Sequence, residues 1–198
     1  MSTAILPASP AADSLRRKRF NRGEVDRMQE LGIFDGQRCE LIDGELIDKM
    51  GQNPPHAYAI RRVFAWLIAL FGPDRLQIQS AVEVKPGDSE WSLPEPDVAV
   101  LAEASGDYGK RFPRGDELLL LVEVADTSLR QDLTTKRNLY ARASVGEYWV
   151  LDLQSRRLIV HRHPDHGEYG ETAILNEDEI ASCAAHPEQT LAVRHLLP

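Results

Sequence analysis

The sequence predicts an α/β domain: a mixed central β-sheet flanked by helices, preceded by an N-terminal β-hairpin. Three observations point to it. LLLLVEVA at 118–125 is an almost continuous apolar run, the pattern of a strand buried on both faces. Helical apolar spacing follows at once, and then a second apolar run, EYWVLDL at 147–153, which is the order of a strand–helix–strand unit. Upstream, CELIDGELIDKM at 39–50 sets two short apolar arms around Asp43-Gly44, a strong hairpin signal.

Taken in order, residues 1–19 read as a loose arm, because its first part is rich in Ala, Ser and Pro. Residues 20–198 then form a single domain, a length that one core can serve. A short helix is expected over 21–31, capped by Asn21, with Val25, Met28 and Leu31 on one face and Gly32 ending it. In the first hairpin arm Glu40 and Ile42 share a face, while Leu41 points the other way. Asn53-Pro54-Pro55 opens a long helix, since Asn caps well and Pro fits a first turn. His56, Ile60, Val63, Phe64, Leu67 and Phe71 form its apolar stripe, and Gly72-Pro73 stops it.

LQIQSAVEV at 76–84 alternates as a strand, and PDVAVL at 96–101 is a short strand opened by proline. Residues 103–117 are a polar loop. A helix is expected over 128–143, between the two long apolar runs. Residues 154–156 turn the chain, and RLIVHR at 157–162 returns beside EYWVLDL. The last thirty or so residues read as one more strand, a short helix and a tail.

The net charge is −8, so the overall field does not draw the chain to nucleic acid; such binding needs a local basic patch. Candidates are the run at 16–19, Arg61 with Arg62, Lys110 with Arg111 and Arg114, and Arg156 with Arg157. Each also reads simply as a solvated face. No run approaches the ~20 apolar residues that span a bilayer, and the N-terminus lacks a secretory pattern. Cys39 and Cys183 stand far apart, which argues against a zinc knuckle or disulfide framework and for a reducing cytoplasm.

Glu123 breaks the local rule. An ionised carboxylate in a dry strand costs several kcal/mol unless a cation meets it. Strand alternation places Glu123 with Leu119, Leu121 and Ala125. In the helix that follows, Leu129, Leu133, Leu139, Tyr140 and Ala143 make the inward stripe, and Lys136 falls on that stripe. Asp132, four residues before Lys136, flanks it and can pair with the lysine. In the shorter strand Asp97 stands just after Pro96. Carboxylates from two strands plus a lysine are a minimum set for metal-assisted phosphodiester hydrolysis. Hard oxygen ligands bind Mg²⁺ or Mn²⁺, the metal makes a water more acidic and stabilises charge on the phosphate, and the lysine positions or deprotonates the attacking water or neutralises developing charge.

These pieces carry a family resemblance. PD at 96–97, VEVADTS at 122–128, Asp132 and Lys136, and EYWVLD at 147–152, in this order, resemble the Uma family of restriction-endonuclease-like nucleases of the PD-(D/E)xK superfamily. CELIDGEL at 39–46 is similar to the family's opening hairpin, and His56 stands where its first long helix carries a His. The resemblance implies a restriction-endonuclease-like fold, DNA as substrate and Mg²⁺ or Mn²⁺ as cofactor. A homodimer follows by analogy with enzymes that cut two strands. It also implies that Asp97 and Glu123 are metal ligands, that Lys136 is the catalytic cation and that Glu40 is an accessory acid, with His56 and Asp132 as further candidates. Ala125 stands where a lysine completes the superfamily's ExK motif, so the resemblance implies that Lys136 supplies the amine from the next helix.

Plain structural readings stand beside this one. Glu123 can satisfy backbone donors or pair with an arginine, Asp97 can simply form a turn after proline, and Lys136 can run its stem outward to water. Glu83-Val84-Lys85 spells ExK but precedes PD and adjoins a turn, so it reads as surface. His161, His163 and His166 with Asp165 have no cysteine partner and read as a solvated strand end and loop. Trp149 reads as core. Two other functions remain open: a nuclease-like fold serving as an inert binding or assembly module, and a glycosidase using Asp97 and Glu123 as its acid–base pair. The second leaves Lys136 without a task.

Overall fold

A computed structural model describes residues 17–49 and 53–198. The expected arm falls mostly on residues 1–16, outside the described part. Arg19, near its end, is held: its Nε donates to the Asp43 carbonyl at 2.7 Å and its guanidinium lies over Trp91.

Helix α1 spans Arg22–Glu30, and Asn21 and Glu24 cap each other reciprocally at its start. Its expected apolar face is only partly covered, and Leu31 is 78% exposed. Strands β1 (Cys39–Ile42) and β2 (Glu45–Asp48) pair antiparallel around Asp43-Gly44, both at positive φ, as the hairpin signal requires. Leu41 and Ile42 are both buried, because Leu93 bridges to Leu41 and covers the side that alternation alone leaves open. Helix α2 runs Pro54–Phe71 from its Asn53 cap and buries Ala59, Ile60, Val63 and Leu67.

Strand β3 covers only Leu76–Ile78. The expected strand over 76–84 stops early because Gln79 adopts φ +47°, which breaks the ladder. Ala81, Val82 and Val84 are nonetheless buried, in a segment that includes an isolated bridge from Glu83 to Arg114. A four-residue helix, α3 (Pro86–Ser89), precedes β4 (Val98–Leu101). Then come β5 (Leu118–Ala125), α4 (Leu129–Gln131), a π turn (Asp132–Lys136) and α5 (Arg137–Arg142). Strands β6 (Glu147–Asp152), β7 (Arg157–Asp165) and β8 (Glu168–Asn176) follow. The chain finishes with two-residue strands β9 (Ile180–Ala181) and β10 (Leu191–Ala192) and a 3₁₀ turn at Val193–His195.

The six-stranded sheet has the order β3-β4-β5-β6-β7-β8. Only β5 and β6 run parallel; the other neighbours are antiparallel. The mixed sheet flanked by helices, with a separate N-terminal hairpin, is therefore the architecture read from the sequence. One face of the sheet packs on α2 and the C-terminal segment, through Val63, Leu67, Leu120, Val122 and Trp149. The other packs on α5 and the hairpin, through Leu121, Ala125, Leu139, Tyr140 and Ile42. Covering both faces is why β5 carries so little polarity. Leu119 departs from the expected face. The β4–β5 register slips between Val100 and Leu101, so Leu118 turns toward α5 and Leu119 toward α2. Trp149 is core, stacked on Trp66 at 5.6 Å. No helix among the described residues is long and apolar enough to cross a membrane.

Candidate active site

The π turn lies within the helical stretch expected over 128–143 and contains the two charged residues that stretch buries. Asp132 is 1% and Lys136 3% exposed. Turns of this kind are rare and collect at functional sites. The Tyr148 hydroxyl donates to the Asp132 carbonyl at 3.1 Å, so β6 holds the turn against the sheet. Lys136 does not run outward to solvent. Its Nζ lies 2.9 Å from Glu123 Oε1, 2.8 Å from Glu40 Oε1 and 3.9 Å from Asp132 Oδ1.

Each acid has its own anchor. Glu123 Oε1 also accepts the Tyr140 hydroxyl at 2.9 Å. Glu40 Oε2 accepts the Glu95 amide at 3.0 Å, which ties the hairpin to the segment before β4. Asp132 Oδ2 accepts the Ser128 hydroxyl, whereas its Oδ1 is buried with no hydrogen-bond partner among the described residues. Asp97 stands one step beyond the Val98–Val122 pair, which puts it opposite Glu123 on the ladder. Its Oδ2 accepts the Val124 amide at 2.9 Å and lies 3.4 Å from His56 Nε2. The structure thus brings together all six residues named from the sequence: Glu40, His56, Asp97, Glu123, Asp132 and Lys136 line one cleft of about 220 Å³.

The electrostatics follow from this crowding. Burial pushes the Glu123 carboxyl well above the ordinary carboxylate range; the Lys136 ammonium opposes that, and Asp132, Asp97 and Glu40 add to it. Burial raises Asp132 too, again against the pull of Lys136. For Lys136 burial works against the charge, but the surrounding carboxylates outweigh it and hold the proton firmly. Burial disfavours charge at Asp97 as well, yet His56, the Val124 amide and Lys49 together leave its carboxyl below the usual value. His56 is raised in return, Asp97 overcoming the effect of burial.

Glu40, Asp97, Glu123 and Asp132 are buried carboxylates; Lys136 is the buried ammonium that meets Glu40, Glu123 and Asp132, while Asp97 pairs with His56. Glu123 Oε2 and Asp97 Oδ1 are their least engaged oxygens; Asp97 Oδ1 has only Gln79 at 3.5 Å. Among the described residues no group of three or more His, Cys, Asp or Glu is arranged to cage a metal by itself. Two open carboxylate oxygens beside a water-accessible cleft are instead the donor set of a hard ion that keeps much of its water, as Mg²⁺ does. The residues present fit that ion.

Sequence reasoning missed two kinds of residue. Tyr140 had a signal, since it lies four residues after Lys136 on the same stripe. Arg38 and Lys49, which line the cleft from the open end of the hairpin, had none beyond their adjacency to its arms. The decoys sit elsewhere. Glu83 pairs with Arg22 at 2.6 Å and Lys85 is exposed. His161 is not the solvated residue expected: it is buried between Tyr148 and Tyr169, because strand alternation carries it inward, while His163 and His166 are exposed.

The family model described as "Uma2: Putative restriction endonuclease" matches residues 24–194. No curated protein matches the sequence significantly. Among solved structures, one that matches is titled a "putative nuclease belonging to DUF820" from Anabaena variabilis. It shares 17% identity at a TM-score of 0.64, over 80% of this chain and 88% of that one, and so supports the fold. With its hairpin, six-stranded sheet and cleft all inside the matched span, the chain belongs to the Uma2 family, whose model is described as "Putative restriction endonuclease".

Proposed function

We propose that this chain is a metal-dependent endonuclease that hydrolyses DNA phosphodiester bonds in the cleft over Lys136. The observation that carries the reading is the crowding of buried acids: among the described residues one ammonium, Lys136, is shared by Glu40, Glu123 and Asp132, and Asp97, paired with His56, stands opposite Glu123 on the ladder. An excess of carboxylate beside an open cleft is stable when a cation completes it. On this reading Asp97 and Glu123 hold Mg²⁺ or Mn²⁺, and the ion when bound polarises a phosphoryl oxygen and makes a water acidic enough to attack near neutral pH.

The protein's own groups divide the remaining work. Lys136 keeps its proton, so it stabilises negative charge growing on the phosphate and does not act as a base. Glu40 aims that ammonium, holding it with one oxygen while the other is fixed by the Glu95 amide. Tyr140 and Lys136 both engage Glu123 Oε1, which leaves Oε2 for a ligand. His56 steadies Asp97 at its Oδ2. The free thiols Cys39 and Cys183 suit a reducing compartment, and the reading assigns the enzyme to the cytoplasm. A homodimer, which would present a cleft to each DNA strand, is part of the same proposal; light scattering tests it.

The experiment is plasmid cleavage with Mg²⁺ or Mn²⁺. Asp97→Asn and Lys136→Ala each cut cleavage by about a hundredfold or more on this reading, with folding checked by circular dichroism. Asp97→Asn matters most, because an amide oxygen can still accept the Val124 N–H and spare the fold. Cleavage equal to wild type in Asp97→Asn removes the proposal. A second reading, an inert module for binding or assembly, draws on the missing ExK lysine at Ala125 and on the lack of a caged metal site among the described residues. It requires that no carboxylate-dependent metal binding occur.

A further inference from the structure

We infer that Arg38 and Lys49 form a phosphate-binding wall of this cleft, contacting the nucleic-acid backbone beside the reacting phosphate, and that Glu95 restrains both in the free protein. The inference rests on the nuclease reading above and adds where the strand lies.

Arg38 and Lys49 flank the open end of the hairpin, where the Lys49 amide donates to the Arg38 carbonyl at 2.7 Å. Both line the cleft together with Glu40, Asp97, Glu123 and Lys136. Six lining residues are acids, so a polyanion entering this cleft needs cations on its wall. Lys136 cannot serve alone: its side chain is 4% exposed and its charge is taken up by Glu40 and Glu123. His56 is occupied by Asp97. Among the described residues, Arg38, with a side chain 52% exposed, and Lys49, 15% exposed, are the remaining cations of the lining.

Both are held by one acid. Arg38 donates to Glu95 Oε2 at 3.0 Å and to Gln79 Oε1 at 3.2 Å. Lys49 donates to the Glu95 carbonyl and lies 3.9 Å from its Oε2. Glu95 is not itself part of the lining, so it holds the cations from behind and cancels part of their charge. Its amide binds Glu40, which binds Lys136. The wall and the buried ammonium are therefore linked through one carboxylate, at a fixed spacing along any strand that touches both. Phosphate contacts of this kind set register and carry little sequence information. A guanidinium suits the task, since its fork matches the phosphate oxygens.

The test is binding of a short fluorescein-labelled oligonucleotide, followed by anisotropy with Ca²⁺ in the buffer across a series of salt concentrations. DNA and RNA of the same sequence are separate arms, because both present the same backbone. Arg38→Gln and Lys49→Gln should each weaken binding several-fold and lower the slope of log K against log salt by about 0.7 to 0.9, the loss of one phosphate contact. Glu95→Gln should tighten binding by releasing the charge it cancels. Unchanged affinity and slope in both cation variants, or weaker binding in Glu95→Gln, overturns the inference while wild-type binding leaves the nuclease reading standing. A wild-type protein that binds neither oligonucleotide overturns both.

Discussion

Two glutamates buried on adjacent strands of one sheet have opposite surroundings. Glu147, at the start of β6, takes Trp149 Nε1 and Arg162 Nε on Oε1, each at 2.8 Å, and the Ala184 amide on Oε2 at 2.7 Å. One acid meets one guanidinium, and both oxygens are used. Glu123, on β5, shares one lysine with Glu40 and Asp132, and its Oε2 has no hydrogen bond among the described residues. Both carboxylates are almost fully buried, so burial does not distinguish them. Balance does. A polar group buried for structure ends in a neutral, fully bonded set; the Glu123 group has three carboxyls for one lysine and open oxygens, with burial pushing Glu123 and Asp132 toward their neutral forms, an arrangement the proposed cation would complete.

The largest expected effect falls on the unbalanced side. Asp97→Asn should cut metal-dependent cleavage by about 10²–10³-fold, the scale of losing one preorganised electrostatic partner. Urea unfolding of the same variant should shift by less than about 1 kcal/mol, since the Val124 amide keeps an acceptor. Arg162→Ala is the mirror experiment. It strands Glu147 in the core and should cost about 3 kcal/mol in urea unfolding, while cleavage per folded molecule stays at the wild-type level. If Arg162→Ala leaves stability untouched, the contrast between the two glutamates fails.

Tyr140→Phe sharpens the comparison at smaller scale. It removes one of the donors on Glu123 Oε1, worth about 1.5 kcal/mol for a bond to a charged acceptor. Its marks should be a loss of about that size in urea unfolding and weaker Mn²⁺ binding. The smallest effect at neutral pH, absent there and growing only in acid, belongs to the structural part of the sheet. Burial, followed by the nearby charge of Arg137, lowers the His161 imidazole from 6.5 to about 4. Between those values the unfolded chain binds the proton and the folded protein does not. The stability this contributes is complete above about 6.5 and is lost as pH falls toward 4. His161→Phe, which keeps the stack between Tyr148 and Tyr169, should flatten the urea midpoint across that window; an unchanged pH profile would place the acid sensitivity elsewhere.

Much of the candidate site's geometry was legible in the sequence where local patterns build it. Asp43-Gly44 dictates the hairpin that carries Glu40, and Asn53 starts the helix that carries His56. Helical spacing turns Lys136 inward; the pairing that sets Asp97 across from Glu123 is a matter of register that the structure shows. What escaped depends on tertiary detail. The strand over 76–84 ends at Gln79 because one residue adopts a left-handed backbone, which its identity does not demand. Leu119 changes face through a register slip that only the β4 partner reveals. The π turn is a local deviation that leaves the apolar spacing intact, so periodicity cannot see it. Arg38 and Lys49 reach the cleft from the open end of the hairpin, where Glu95, more than forty residues onward, holds them, a contact that local pattern does not show.

Calorimetric titration of the metal-free protein with Mn²⁺, wild type against Asp97→Asn at one pH, reaches the central claim directly. Surplus buried carboxylate should give a saturable binding heat in the wild type that disappears, or weakens by more than tenfold, in the variant. A wild type that takes up no Mn²⁺, or a variant that binds it equally well, would mean that the charge around Lys136 is only structural.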